Sequence, residues 1–215
     1  SLDICYLADS NTSVASTMSF LRMLTKDQFY LEHDQMCTWP QATAFPVAIP
    51  GVHRVLNALP WSGGGEPVWY EDDARVRNCS VLVAFRNQAM LQAIVGILVE
   101  FEQKHKHLPV DEQEKLTNAL GNQLVSVEPE RESPALNRSL LCCHGRGNTE
   151  SVSVVLRGNS PYIQTGIFAA EACRKILLGT HRGKGFMSPA GAFGAREMIA
   201  AIAASGQLAW DTRTV

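Results

Sequence analysis

The sequence has no apolar run long enough to span a bilayer; Met90–Phe101 is apolar but short, with Arg86 before it and Glu100 within it. It has no charged start followed by an apolar core, so no secretory leader is read at its beginning. It has no surplus of either charge. Nineteen Lys and Arg stand against 21 Asp and Glu, for a net charge of −2. A whole-chain basic surface for nucleic acid is therefore excluded, and the short basic clusters Arg75–Arg77 and His181–Lys184 read as solvated loops. No CxxC occurs among the six cysteines (Cys5, Cys37, Cys79, Cys142, Cys143 and Cys173). At this length disulfide staples are not required, so the thiols read as reduced and mostly buried, in a cytoplasmic protein. The expectation is no membrane partner and no nucleic-acid partner.

The familiar catalytic signatures are missing too. There is no G-x-S-x-G elbow. The dinucleotide fingerprint needs three glycines at a strand-to-helix turn, so that backbone amides can approach a pyrophosphate. Gly145 and Gly147 supply two, but Glu150 stands at the third position, where its carboxylate would repel phosphate. Gly183 and Gly185 are followed by Ser188. Gly63–Gly65 run into Glu66-Pro67, and "GTHRGK" has the wrong spacing for a phosphate loop. This chain thus carries no nucleotide site of its own. Cys143 and His144 are neighbours, yet on a strand neighbours face apart. His105 and His107 sit in a Lys-rich helix end and His33 beside Asp34, so no metal site is expected.

What is present is a well-patterned globular core, with 46% hydrophobic residues and 19% charged. Asp3–Ala8 reads as a strand. Asn11, Thr12 or Ser13 can cap a helix carrying Val14, Met18, Leu21 and Leu24 at helical spacing. Gln28–Phe45 reads as extended and irregular, and Pro46 and Pro50 forbid a long helix after it. "VWYEDD" reads as an edge strand or loop. Ser80–Phe85 is β-rich. Arg86–His105 follows as a helix with Leu91, Ile94, Val95, Leu98 and Phe101 on one stripe. A helix capped by Asp111 is expected to run to Leu120 and stop at Gly121. The alternation of Val152, Val154 and Leu156 with polar residues gives a hairpin turning at "GRGN". A helix from Pro161 to Leu178 stops at Gly179. Ser188 and Pro189 open a last helix that ends at Gly206, with Leu208–Trp210 as a final strand. This order is not a βαβ repeat. It predicts a single α+β domain over 1–215, with a mixed, largely antiparallel sheet and helices packed mainly on one face.

Six polar residues fall at turns and helix starts. His144 and Arg146 lie at the hairpin tip, Tyr162 and Thr165 in the first turn of the third long helix, and Lys184 and Ser188 before the last one. Helix N-termini and cations together can hold an anionic group such as a carboxylate. These six are the candidate substrate-binding residues, with a role in orientation or anion binding; no catalytic residue is assigned.

The stretch "VVLRGNSPYIQTGIFAAEACRKILLG…GKGFMSPAGAFGAREMIAAIAASGQLAW" resembles the C-terminal half of saccharopine dehydrogenase-like oxidoreductases. The positions that carry the likeness are Gly158, Tyr162, Thr165, Gly185, Ser188, Pro189, Ala190 and Gly194. "NTSVASTMSFLRML" is similar to the family's small-residue helix. The resemblance covers about the last sixty residues best and is weak between Gln28 and Arg138. It implies the second domain of a two-domain enzyme, in which an N-terminal Rossmann domain, in cis or in trans, binds NAD(P), while this domain covers a small-molecule substrate and often forms the dimer. The opening "SLDICYLADS", which enters a strand directly, is consistent with a domain excised from such a chain. On this reading the domain is not active alone and its cofactor belongs to the full-length parent. The alternatives are a structural or protein-interaction module binding no small molecule, and a hydrolase using His144 with a cysteine, which needs a sulfur within hydrogen-bond reach of a histidine.

Overall fold

The structure is a computed structural model that describes residues 1–9, 12–61, 63 and 65–214. Its centre is strand β1 (Leu2–Asp9), which pairs parallel to β6 (Cys79–Phe85) on one side and antiparallel to β7 (Arg138–Arg146) on the other. The sheet extends past β7 through β8 (Ser151–Asn159) to the edge strand β9 (Leu208–Thr214). Beyond β6 lie the hairpin β2 (Phe29–Glu32)–β3 (Gln35–Thr38) and, along the other half of the same edge, β4 (Phe45–Val47)–β5 (Leu56–Pro60). The nine strands form one mixed, mainly antiparallel sheet, so the α+β class read from the sequence holds.

Because side chains alternate along a strand, β1 presents Ile4 and Tyr6 to one face and Cys5 and Leu7 to the other. Both faces are covered at the centre, by different means. On the Tyr6 face lie α1 (Val14–Leu24), α3 (Gln88–Lys104) and the short α2 (Glu66–Tyr70), and Leu24, Leu91, Ile94 and Leu98 pack on Val83 and Phe85. Helix α4 (Val110–Leu124) packs on α1. The long helix α5 (Pro161–Leu177) and α7 (Ala195–Ala204) cover β8 and β9 on the same face, and the one-turn α6 (Pro189–Phe193) precedes α7. Among the described residues, no helix lies at the centre of the Cys5 face. There the chain between β4 and β5 folds across, putting Ile49 and Leu56 onto Leu7, Ala84, Cys142 and Val155.

Three local expectations change. "VWYEDD" is mostly α2 and a turn, because Gly65 takes a positive φ of 73° that admits the chain to a helix with Pro67 in its first turn, where a missing N–H costs nothing. Gly121 does not stop α4, which starts at Val110 and runs on to Leu124. Gly121 is buried inside the helix, where an added Cβ would lie 2.6 Å from Met18 Cγ, so it is a packing notch for α1. The last helix is broken in two at Gly194, whose φ of 86° no helical residue adopts. Of the candidate caps for α1, Ser13 does the work, its hydroxyl accepting from the Ser16 N–H; Asn11 lies outside the described residues.

Gly158 fixes α5 to the sheet. The Gln164 amide lies against its backbone, donating at 2.6 Å to the Asn159 carbonyl and at 3.3 Å to Ser139 Oγ. A Cβ at 158 would occupy the amide's place. Gly158→Ala is therefore expected to destabilise the fold by about 1–3 kcal/mol through displaced hydrogen bonds and overpacking, read as a lower urea midpoint at unchanged slope.

Candidate functional site

Between the α1–α2 group and α5, the helical face of the sheet is left open along β1, β7 and β8. The opening is a cavity of about 530 Å³, walled by Tyr6, Leu141, Leu156, Tyr162, Thr165 and Phe168. This is within the usual size of a small-molecule pocket, about 300–1,000 Å³. Its walls are mainly apolar, with one phenol on the floor.

That phenol is Tyr6. It sits mid-strand among apolar neighbours and donates its O–H to Glu66 Oε1 at the first position of α2. Burial pushes the Tyr6 phenol well above its ordinary range, and the Glu66 carboxylate adds to the shift. The proton therefore stays on the phenol throughout the physiological range. Glu66 Oε2 is buried with no partner among the described residues. Around the pair lie Tyr70, also raised chiefly by burial, and two thiols that burial pushes to about 11 (Cys143) and about 12 (Cys79). All are neutral at pH 7, and of this group Tyr6 is the member that lines the cleft, where it stands as a protonated donor.

The mouth is held by other contacts. Tyr162 Oη accepts from the Ser13 N–H at 3.1 Å, joining the starts of α1 and α5. Glu128 accepts from the Val14 N–H and Glu132 from the Tyr162 N–H. The positive ends of both helices are thus answered by the chain's own carboxylates. Across the helical face, the ring of Phe186, from the loop before α6, stacks on Trp69 of α2 with centroids 4.5 Å apart.

The six residues singled out by sequence do not converge. Tyr162 and Thr165 share the cleft. His144 and Arg146 project from the opposite face of the sheet. There His144 Nδ1 lies 2.7 Å from Ser153 Oγ, and Arg146 pairs with Asp3. Lys184 is exposed and makes no polar contact among the described residues, while Ser188 caps α6 by accepting from the Gly191 N–H. An anion held jointly by helix starts and the hairpin cations has no place in this arrangement, because β-strand alternation separates them and Glu132 already fills the start of α5. His144 has a hydroxyl for partner, and Cys143 packs on the other side of the sheet. Among the described residues no three His, Cys, Asp or Glu side chains gather as metal ligands.

Tyr6 and Glu66 were missed. The signal was a hydroxyl at a core position of the strand, which demands a buried partner. Glu66 is far away in sequence and follows a glycine run that gives no hint of a helix.

A family model matches residues 1–212. The chain belongs to DUF5938, a family of unknown function. No curated protein matches it. In this DUF5938 chain the cleft is the feature that points to chemistry.

Tyr6 and Glu66 link the pH response to that cleft. A phenol whose folded value lies above its unfolded value of about 10 keeps its proton after the unfolded chain has lost its own, so stability is steady below pH 10 and falls as pH rises beyond it. Tyr6→Phe is expected to lower stability at pH 7 by about 1–3 kcal/mol, since Glu66 loses its donor, and to flatten the decline between pH 10 and 11. Urea melts of both proteins across that range measure this; parallel pH profiles would show that Tyr6 is not the titrating group.

Proposed function

We propose that this chain is the substrate-binding domain of a saccharopine dehydrogenase-like NAD(P)-dependent oxidoreductase, working with a Rossmann domain in cis or in trans and not turning over alone. The supporting observation is the cleft itself: an apolar pocket with one protonated phenol on its floor, suited to an apolar small molecule bearing one oxygen acceptor. Tyr6 would turn its O–H from Glu66 to that acceptor, and Phe168 and Leu156 would pack on the hydrocarbon. On this reading the nicotinamide is held by the Rossmann partner. The turns from β1 to α1 and from β6 to α3 contain no glycine, and the side chains of Ser13 and Asn87 take the helix-start N–H groups that a pyrophosphate would need. Six free thiols fit a reducing compartment, and we place the protein in the cytoplasm on that basis. No helix among the described residues is long and apolar enough to cross a membrane.

Titration with hexanamide, a neutral amphipath with a carbonyl, tests the pocket by amide NMR shifts. Changes are expected to cluster at Leu141, Leu156, Thr165 and Phe168, and to vanish in Phe168→Trp. Shifts scattered over the surface would remove the cleft reading. Saturable binding of NADPH by the chain alone would overturn the division of labour.

The second role, self-association, is favoured by the outer side of α5. Ile176, Leu177 and Leu178 are exposed together at and just past its C-terminal end, Leu177 at 87%. We assign this surface to a homodimer. Light scattering is expected to give twice 23.5 kDa for the parent protein and 23.5 kDa for Leu177→Glu; a parent that stays monomeric as concentration rises refutes it. The same result bears on the reading of the chain as an interaction module only, which requires the dimer without hexanamide binding.

A further inference from the structure

Two cysteines stand side by side in the core on the face of the sheet away from the cleft. The register pairs Cys5 of β1 with Cys142 of β7. Ser1 and Arg146 exchange both backbone bonds, so alternation along the ladder makes Asp3–His144 and Cys5–Cys142 hydrogen-bonded pairs as well. Residues opposed in that way have Cα atoms about 5.5 Å apart, inside the range of about 4.4–6.8 Å that a disulfide spans. The side chains share a face and meet there. Cys5 S–H donates to the Cys142 sulfur, and Cys142 S–H donates to the Cys5 carbonyl at 3.6 Å. Both are free thiols, Cys5 8% and Cys142 2% exposed.

That contact gives the two sulfurs different characters. The hydrogen bond from Cys5 favours a thiolate on Cys142 and lowers its thiol, while the same bond, together with burial, raises Cys5. The other thiols of the sheet interior lack such a neighbour. Cys79 lies opposite Leu2 and Leu31, and Cys143 lies opposite Ile4 and Val154; burial pushes both up. The thiolate is the form that attacks an oxidant, and a second thiol within reach turns the resulting sulfenic acid into a disulfide. The cover over the pair is the connection between β4 and β5, which turns at Pro50 and at Gly51, with φ 83°, and lays Ile49 and Leu56 on the cluster that holds both cysteines. Sulfurs under a loop are reached through its local opening, which favours a small oxidant over another protein's disulfide.

We propose that Cys5 and Cys142 form a redox-active dithiol that hydrogen peroxide converts to a cross-strand disulfide. Cys142 attacks as the thiolate. An S–O bond forms, the O–O bond breaks, and the departing hydroxide takes up the proton that Cys142 gave up and leaves as water. Cys5 then attacks the sulfenic acid. The S–S bond forms, the S–O bond breaks, and the oxygen leaves with the Cys5 proton as a second water. The two thiols lose two electrons and the peroxide gains them. In a reducing compartment such a bridge is transient and serves as a sensor. It ties β1 to β7 at the register position next to the Tyr6–Leu141 pair, and it does not depend on how the cleft is read.

Hydrogen peroxide treatment of the folded chain tests it, followed by alkylation of the remaining thiols and peptide mapping by mass spectrometry without reductant. A cross-linked peptide holding Cys5 and Cys142 is expected, and dithiothreitol should release it. In Cys5→Ser, dimedone, which captures sulfenic acids, should label Cys142; in Cys142→Ser, Cys5 should stay unlabelled. Thermal melting checks that each variant folds, and the map of the parent chain needs neither variant. Cys173 is exposed, and its oxidation reports that the peroxide has acted. Cys5 and Cys142 recovered as free thiols while Cys173 is oxidised, or joined only when the chain is first unfolded in urea, would overturn the assignment. Dimedone on Cys5 in Cys142→Ser would overturn the order of attack.

Discussion

Everything in this molecule is arranged around one strand that is covered on both faces and paired on both edges. β1 takes β6 in parallel and β7 antiparallel, and every other strand reaches the core through one of those two. A strand in that position needs apolar side chains pointing both ways, which "ICYL" supplies. It also forces a choice about its one polar group. Tyr6 is half-buried at the floor of the cleft, and its phenol takes as partner Glu66, at the place where α2 begins.

The two coverings then set the character of each face. Over the Tyr6 face, helices arrive in two groups, one from the first part of the chain and one from its end, and the seam between them is apolar because the strands beneath and α5 line it with Leu141, Leu156 and Phe168. Over the Cys5 face a loop covers only the centre. Beyond it β7 and β8 are free to carry Arg138 and Arg157. One sheet therefore offers an oily cleft on one side and a recess with arginines on its walls on the other, with no element shared except the strands themselves.

Much of the fold was legible in sequence. The stripe Leu91–Ile94–Leu98–Phe101, the alternation in β8 and the Ser188-Pro189 cap each express a local rule, and local rules survive folding. Gly121 and Gly194 exchanged roles for a non-local reason. A glycine stops a helix or fills a notch depending on what packs against it: Met18, which Gly121 admits, is far from it in sequence, and Arg182, which meets Gly194 together with Glu197, comes from the preceding loop. The site was less legible. Tyr162 and Thr165 do line the cleft, but His144 and Arg146 were grouped with them only for their place at a turn, and one residue of strand parity sends a side chain to the opposite face. Tyr6 and Glu66 form a pair across sixty positions of chain, a relation no spacing rule contains.

The pairing of β1 with β7 also bears on how the protein is made. Leu2 lies opposite Gly145, and Asp9 opposite Arg138. The second edge of the central strand is therefore satisfied only after the hairpin has left the ribosome. At about 5–20 residues per second this leaves the apolar "ICYL" segment half-paired for on the order of ten seconds. So distant a contact is a non-local one, whose loop-closure cost falls before its reward.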